Sequence, residues 1–216
     1  MKIDFVSDVV CPWCAIGLRA LETAIERCDM VDAVTLHFQP FELNPQMPPG
    51  GEDIDAHLRR KYGITPEQVA SSREAIRARG AALGFRFEMR ARSRIYNTFD
   101  AHRLLHWAGL AGRQRELKHA LLSAYFTDGR DPSDHAVLRD CAQIAGLDGD
   151  AAALVLARGD HADDVREREQ FHAGLGINAV PSVIIDDRHL IQGGQPPEVF
   201  ERALRQLAGA GMADRA

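Results

Sequence analysis

Cysteines 11 and 14 are the residues best suited to chemistry in this chain, separated by Pro12 and Trp13 in the stretch SDVVCPWCAIGL. Two thiols at that spacing can hold a metal, staple the chain or exchange a disulfide. A zinc site needs a second pair of cysteine or histidine ligands. No second CxxC is present, and the histidines spaced four apart on one helical face, His102 and His106, belong to a separate helical segment. No metal site is therefore expected. A disulfide closing so short a loop constrains little of the unfolded chain. With only four cysteines in all (Cys11, Cys14, Cys28 and Cys141), the close pair reads as a redox couple rather than part of a disulfide framework.

The pair stands where an apolar run gives way to a helical pattern. Cys11 is thereby placed at a helix N-terminus, where unpaired N–H groups and the helix dipole favour an anion, here a thiolate. Pro12 suits the first helical turn, which has no use for its missing N–H. Cys14 comes within disulfide reach of Cys11. It also heads a stripe of Cys14, Leu18, Leu21, Ile25 and Cys28 at helical steps of four and three. The roles expected are an exposed, attacking Cys11 and a partly buried, resolving Cys14. Cys28 shares the stripe but lies about 20 Å along the axis, so a packed core thiol is expected there. The same holds for Cys141, on the apolar side of LRDCAQIAGL. Asp8 would oppose a thiolate if it pointed inward, and a loop or capping role is expected of it.

The elements around the pair must position it. KIDFV (2–6) reads as a strand, with Ile3 and Phe5 alternating against Asp4. VTLHFQPFEL (34–43) reads as a second strand broken near Pro40, and MPPGGED (47–53) as a linker. From about 53 to 174, strand signals nearly vanish. Thr65-Pro66-Glu67-Gln68 has the form of a capping box and opens a helix ending near Gly84. FRFEMR (85–90) is brief and extended. Further helices are expected from Asn97 or Thr98, over 113–129, from a Ser133 cap to 147, near 149–158 and over 160–173. Strands return at SVIID (182–186) and HLIQG (189–193), and Pro196-Pro197 opens an amphipathic helix through Leu207 with a frayed end beyond it. In the order β-α-β, helical insert, β-β-α, the strands at the two ends must pair with each other while the insert bulges out between them. The expected organisation is α/β, with residues 1–50 and 175–210 as one discontinuous domain and 51–174 as an inserted α-helical domain.

A formal charge of −5 with no basic stripe argues against nucleic acid as the main partner. No apolar run approaches the roughly 18 residues that span a bilayer, so no membrane partner is expected. MKIDFVSD lacks the apolar core of a signal peptide, and the expected compartment is the cytoplasm.

A second signature is GINAVPSVIID (176–186), where a proline immediately precedes a β-branched strand. X-Pro is the linkage at which cis costs little. With SDVVCPWC, FELNPQMPPGG, NTFDAHRLLHWA and AVPSVIID…LIQGGQPPEVFERAL all present, the chain resembles, over nearly its whole length, the DsbA superfamily of thioredoxin-fold oxidoreductases, in its cytoplasmic FrnE-like branch. The resemblance implies a thioredoxin fold interrupted by a large all-helical insertion, and a cis Val180–Pro181 bond facing Cys11. Substrate would dock beside Pro12, Trp13, Val180 and Pro181, with the Val180 backbone pairing like an added strand. It implies dithiol–disulfide exchange on protein or small-molecule thiols and disulfides, with no bound cofactor and glutathione admitted as a thiol co-substrate. The Pro-Trp dipeptide lacks a histidine to stabilise a thiolate, so a less extreme oxidant than DsbA is expected. Asn97, His102 and Gln195 lie in resembling segments without a catalytic role: Asn97 reads as a cap, His102 as a core or pocket group, Gln195 as a cleft or turn residue.

Two other functions stay open. The same architecture resembles kappa-class glutathione transferases and 2-hydroxychromene-2-carboxylate isomerases, which use glutathione and typically carry serine at the position of Cys11. Cys14 has no evident purpose in that chemistry. A peptide-holding chaperone using the groove beside Pro181 is the third reading. Both monomer and homodimer are compatible with the apolar helical block.

Overall fold

The computed structural model describes residues 1–88 and 93–213, with side chains described up to residue 209. The order begins β1 (Lys2–Ser7), α1 (Pro12–Arg27), β2 (Thr35–Pro40). It continues through β3 (Glu52–Asp53), α2 (Ile54–Tyr62), α3 (Pro66–Ala82) and β4 (Arg94–Ile95). Next come α4 (Phe99–Leu110), α5 (Gln114–Phe126), α6 (His135–Ile144), α7 (Gly149–Arg158) and α8 (Ala162–Gly174). The chain closes with β5 (Ser182–Ile185), β6 (His189–Gln192) and α9 (Pro197–Ala213). The main sheet runs β2-β1-β5-β6, with β1 parallel to β2 and antiparallel to β5. Phe5 stands opposite Phe38 on one side and Val183 on the other, so strands from the two ends of the chain pair as the element order requires.

Asp4 alternates with Ile3 and Phe5 in sequence, yet Ile3 to Ser7 are all buried. β1 is an interior strand with a partner along each edge. Asp4 is kept satisfied by Gln39 Nε2, which donates to it at 2.6 Å, and by Lys2 Nζ at 2.9 Å. The second strand ends at Pro40, where the break was expected, because proline offers no N–H to continue the ladder. α1 buries Cys14, Leu18, Leu21 and Ile25 together, and packs against α9 and α3. Cys28 ends α1 half-buried, its sulfur 3.9 Å from the Glu201 carbonyl. Cys141 is fully buried, and burial pushes its thiol up to about 11, which disfavours the reactive thiolate.

The segment between β2 and β5 follows its capping signals closely. Thr65 and Gln68 form the reciprocal capping box of α3. α6 departs from expectation: Asp134 is its cap, accepting from Ala136 N–H, while Ser133 donates its hydroxyl to Asp131. Two elements went unanticipated. β3 and β4 form a two-stranded sheet inside the otherwise helical segment, and Asp53 caps α2 by accepting from Ala56 N–H. The expected linker thus ends in a strand, held by Arg94 donating to the carbonyls of Gly50 and Gly51. Phe87 is buried against Phe85 and Phe126, while Met89 and Arg90 of FRFEMR lie outside the described residues. α9 continues to Ala213 where a frayed end was expected; residues 214–216 lie outside the described residues. Among the described residues, no helix is long and apolar enough to cross a membrane.

Candidate active site

Cys11 is the N-cap of α1, with extended backbone (φ −87°, ψ 113°) and its carbonyl accepting from the N–H groups of Cys14 and Ala15. Pro12 is the first helical residue, the position where its fixed φ fits best. This geometry brings Cys11 and Cys14 to 3.3 Å of one another, both as free thiols. The Val180–Pro181 bond is cis, and the Cys11 thiol points at the Val180 carbonyl oxygen, 3.8 Å away. Gly17 makes this closeness sterically feasible: a Cβ there would stand 3.0 Å from Pro181 Cγ. Gly194 similarly lies beneath Trp13, where a Cβ would come within 3.1 Å of the Trp13 carbonyl oxygen.

The expected exposure of Cys11 is not observed, since it is 4 % exposed. The reason is tertiary: the Val180 carbonyl lies 3.8 Å from the sulfur, and side chains of α2 and α3 line the same cleft. The cleft measures about 500 Å³, and its lining includes Cys11, Trp13, Tyr62, Ile76 and Val180. Trp13 is gripped by Arg79 of α3, whose guanidinium sits 5.2 Å over the indole ring and also donates to the Gly194 carbonyl.

Beneath the thiols lies a buried charged group that the sequence reading did not foresee. Asp8 is fully buried and turned inward, accepting from Leu43 N–H at 2.7 Å and facing His102 Nε2 at 3.4 Å. Burial works toward the neutral acid. His102, the Leu43 N–H and Thr98 work against it, and the balance holds Asp8 below the usual carboxylate range. Lys118 is 1 % exposed and finds no hydrogen-bond partner for its ammonium among the described residues. Burial lowers its pKa, opposed by the charges of Cys14, Asp8 and Cys11. Cys14 is held well above an ordinary thiol, first by burial and then by Cys11, with Lys118 pulling the other way.

Of the remaining candidates, Asn97 lies one residue before the N-cap Thr98 of α4 and accepts from Phe99 N–H at 2.9 Å, and His102 is buried against Asp8. Gln195 sits in a turn, donating to the Gln192 carbonyl at 2.8 Å. Lys118 was missed although its signal was present. It sits at the apolar spacing of α5 with Leu121, Leu122 and Tyr125, three, four and seven residues on. Arg79 carried no comparable local signal.

A thioredoxin-type sheet, with a CxxC pair opening its first helix and a cis-proline opposite, defines a thioredoxin-like dithiol protein. The chain matches the DSBA-like thioredoxin domain over residues 2–205 and belongs to that family. It is 28 % identical over 206 residues to the uncharacterized protein YwbO of Bacillus subtilis, spanning 94 % of this chain and 96 % of that protein. Its structure matches a probable DsbA oxidoreductase from Streptomyces coelicolor with a TM-score of 0.91 and 35 % identity, covering 97 % and 90 % of the two chains. The cytosolic disulfide reductase DsbM of Pseudomonas aeruginosa, solved with glutathione, shares the fold at a TM-score of 0.67 and 16 % identity, covering 96 % and 99 %.

Proposed function

We propose that this protein is a dithiol–disulfide oxidoreductase in which Cys11 attacks and Cys14 resolves. The observation that carries this reading is the 3.3 Å approach of the two free thiols at the start of α1, under the cis Val180–Pro181 bond. Cys11 thiolate attacks one sulfur of a substrate disulfide, forms a mixed disulfide and expels the other half as a thiolate. Cys14 then loses its proton and attacks the Cys11 sulfur. The Cys11–Cys14 bond closes, the second substrate thiolate leaves, and two electrons have passed to the substrate. The reverse sequence oxidises a dithiol, and the direction follows the potential of the pair against its surroundings.

The site separates the two thiols by role. Cys11 lies at the positive end of α1. Cys14 is kept protonated by burial and by Cys11 until Cys11 is engaged in the mixed disulfide. Lys118 then supplies the positive charge that favours the Cys14 thiolate. Substrate would lie in the cleft beside Pro12, Trp13, Val180 and Pro181. Its volume of about 500 Å³ suits a small thiol such as glutathione or a short peptide segment. The two-unit division at residues 50 and 175, and the cytoplasm as working compartment, belong to the same proposal.

The test is insulin reduction with glutathione as electron donor, comparing the wild type with Cys11→Ser. Loss of turnover in the variant supports the proposal; turnover that survives it overturns the assignment. Glutathione binding with chromene-carboxylate isomerisation but no disulfide turnover would select the glutathione-dependent isomerase reading instead. Suppression of aggregation as the sole activity, retained without Cys11 and Cys14, would select the chaperone.

A further inference from the structure

We propose that His106, His161 and Asp164 form a binding site for a divalent transition-metal ion of the zinc class, where α4 meets the start of α8. Two imidazoles converge on one carboxylate oxygen. His161 Nδ1 lies 2.8 Å and His106 Nε2 3.6 Å from Asp164 Oδ2, and the three donor atoms all lie within 4.8 Å of one another. A tetrahedral zinc ion with bonds of about 2.0–2.1 Å holds its donors about 3.3 Å apart. Small rotations of the two rings, whose centroids are 4.9 Å apart, would bring the set to that spacing. His161 is the N-cap residue of α8, yet its side chain makes no capping hydrogen bond and turns to Asp164 instead. Side-chain exposures of 27 %, 21 % and 49 % leave an ion a route in and leave water room at the remaining coordination positions. The donor set of two nitrogens and one oxygen suits zinc, nickel or copper rather than magnesium or calcium. His106 faces the cleft lined by Gln114 and Arg168, separate from the one that holds Cys11. Arg168 brings a positive charge near His106 and Asp164, which weakens cation binding without blocking it. The ion would tie helices separated by more than fifty residues of chain, and this inference is independent of the redox reading.

The test is a Co²⁺ titration of the full chain followed by visible absorption, with competition by Zn²⁺. His161→Gly is the principal variant. Its backbone lies at φ +64°, which glycine adopts freely, so the ligand is removed while local strain is relieved. The expected result is one Co²⁺ per chain, displaced by one Zn²⁺, without a thiolate-to-cobalt charge-transfer band. Affinity should fall more than about tenfold in both His161→Gly and Asp164→Asn, and rise about twofold to fivefold in Arg168→Gln. Affinity unchanged in His161→Gly and Asp164→Asn overturns the site. So does the absence of Co²⁺ binding, or binding lost only when Cys11 and Cys14 are replaced by serine.

Discussion

The sulfur of Cys11 lies 3.8 Å from the carbonyl oxygen of Val180, although 169 residues separate them in the chain. One residue begins the first helix and the other precedes β5, so their meeting depends on the terminal strands sharing one sheet. The contact sets Cys11, as the proposed nucleophile, beside the backbone edge where an incoming disulfide would lie. On the proposed reading, Cys14→Ser leaves the attack intact and removes the resolving step. Incubated with oxidised glutathione, that variant is expected to accumulate a glutathione adduct at Cys11, seen as a mass increase of one glutathionyl group. No adduct should form in Cys11→Ser.

Lys118 gives a second expectation. Replacing its buried ammonium with the apolar chain of methionine removes the positive charge that offsets the burial of Cys14. Closure of the Cys11–Cys14 bond at neutral pH should slow by up to about tenfold, the equivalent of one pKa unit. Stability should hold or rise, because the buried charge removed has no hydrogen-bond partner among the described residues. Stopped-flow closure kinetics and urea unfolding of the same variant measure both effects.

Asp8 is expected to contribute to the acid side of the stability profile. Its folded-state pKa is lowered, so its contribution is fully present above the unfolded value of about 3.9 and is lost as pH falls through the lower folded value. The melting temperature of the wild type should therefore drop below about pH 4. Asp8→Asn keeps an acceptor for the Leu43 N–H but cannot titrate. It should be less stable at pH 7 and show a flatter melting profile over the acid range.

Gly17 tests the packing of α1 on the cis-proline. With a Cβ already 3.0 Å from Pro181 Cγ, Gly17→Val forces the two elements apart. A stability loss of about 1–3 kcal/mol is expected, with turnover falling further than in Gly17→Ala.

Arg79 links α3 to Trp13 at the start of α1. Arg79→Ala removes the cation over Trp13 and the bond to the Gly194 carbonyl. A cost of about 1–2 kcal/mol is expected, together with a change in Trp13 fluorescence.

What the sequence determined by itself was local. A capping box, a proline in a first turn and a stripe at steps of three and four act between residues within a turn of one another. Thr65–Gln68, Pro12 and the buried face of α1 were legible for that reason. The end-to-end pairing of strands followed from element order, because isolated strand faces must be buried somewhere. β3 and β4 escaped notice because two residues carry no readable period. The tertiary structure alone decided that Asp8 turns inward, that Cys11 is covered, and that His106 meets His161 and Asp164. Each of these depends on segments far apart in the chain, and no signal inside either segment names the other. Lys118 stands between the two cases: its spacing on α5 matches a buried face, but the charges of Cys14 and Asp8 that oppose the cost of burying it come from other segments.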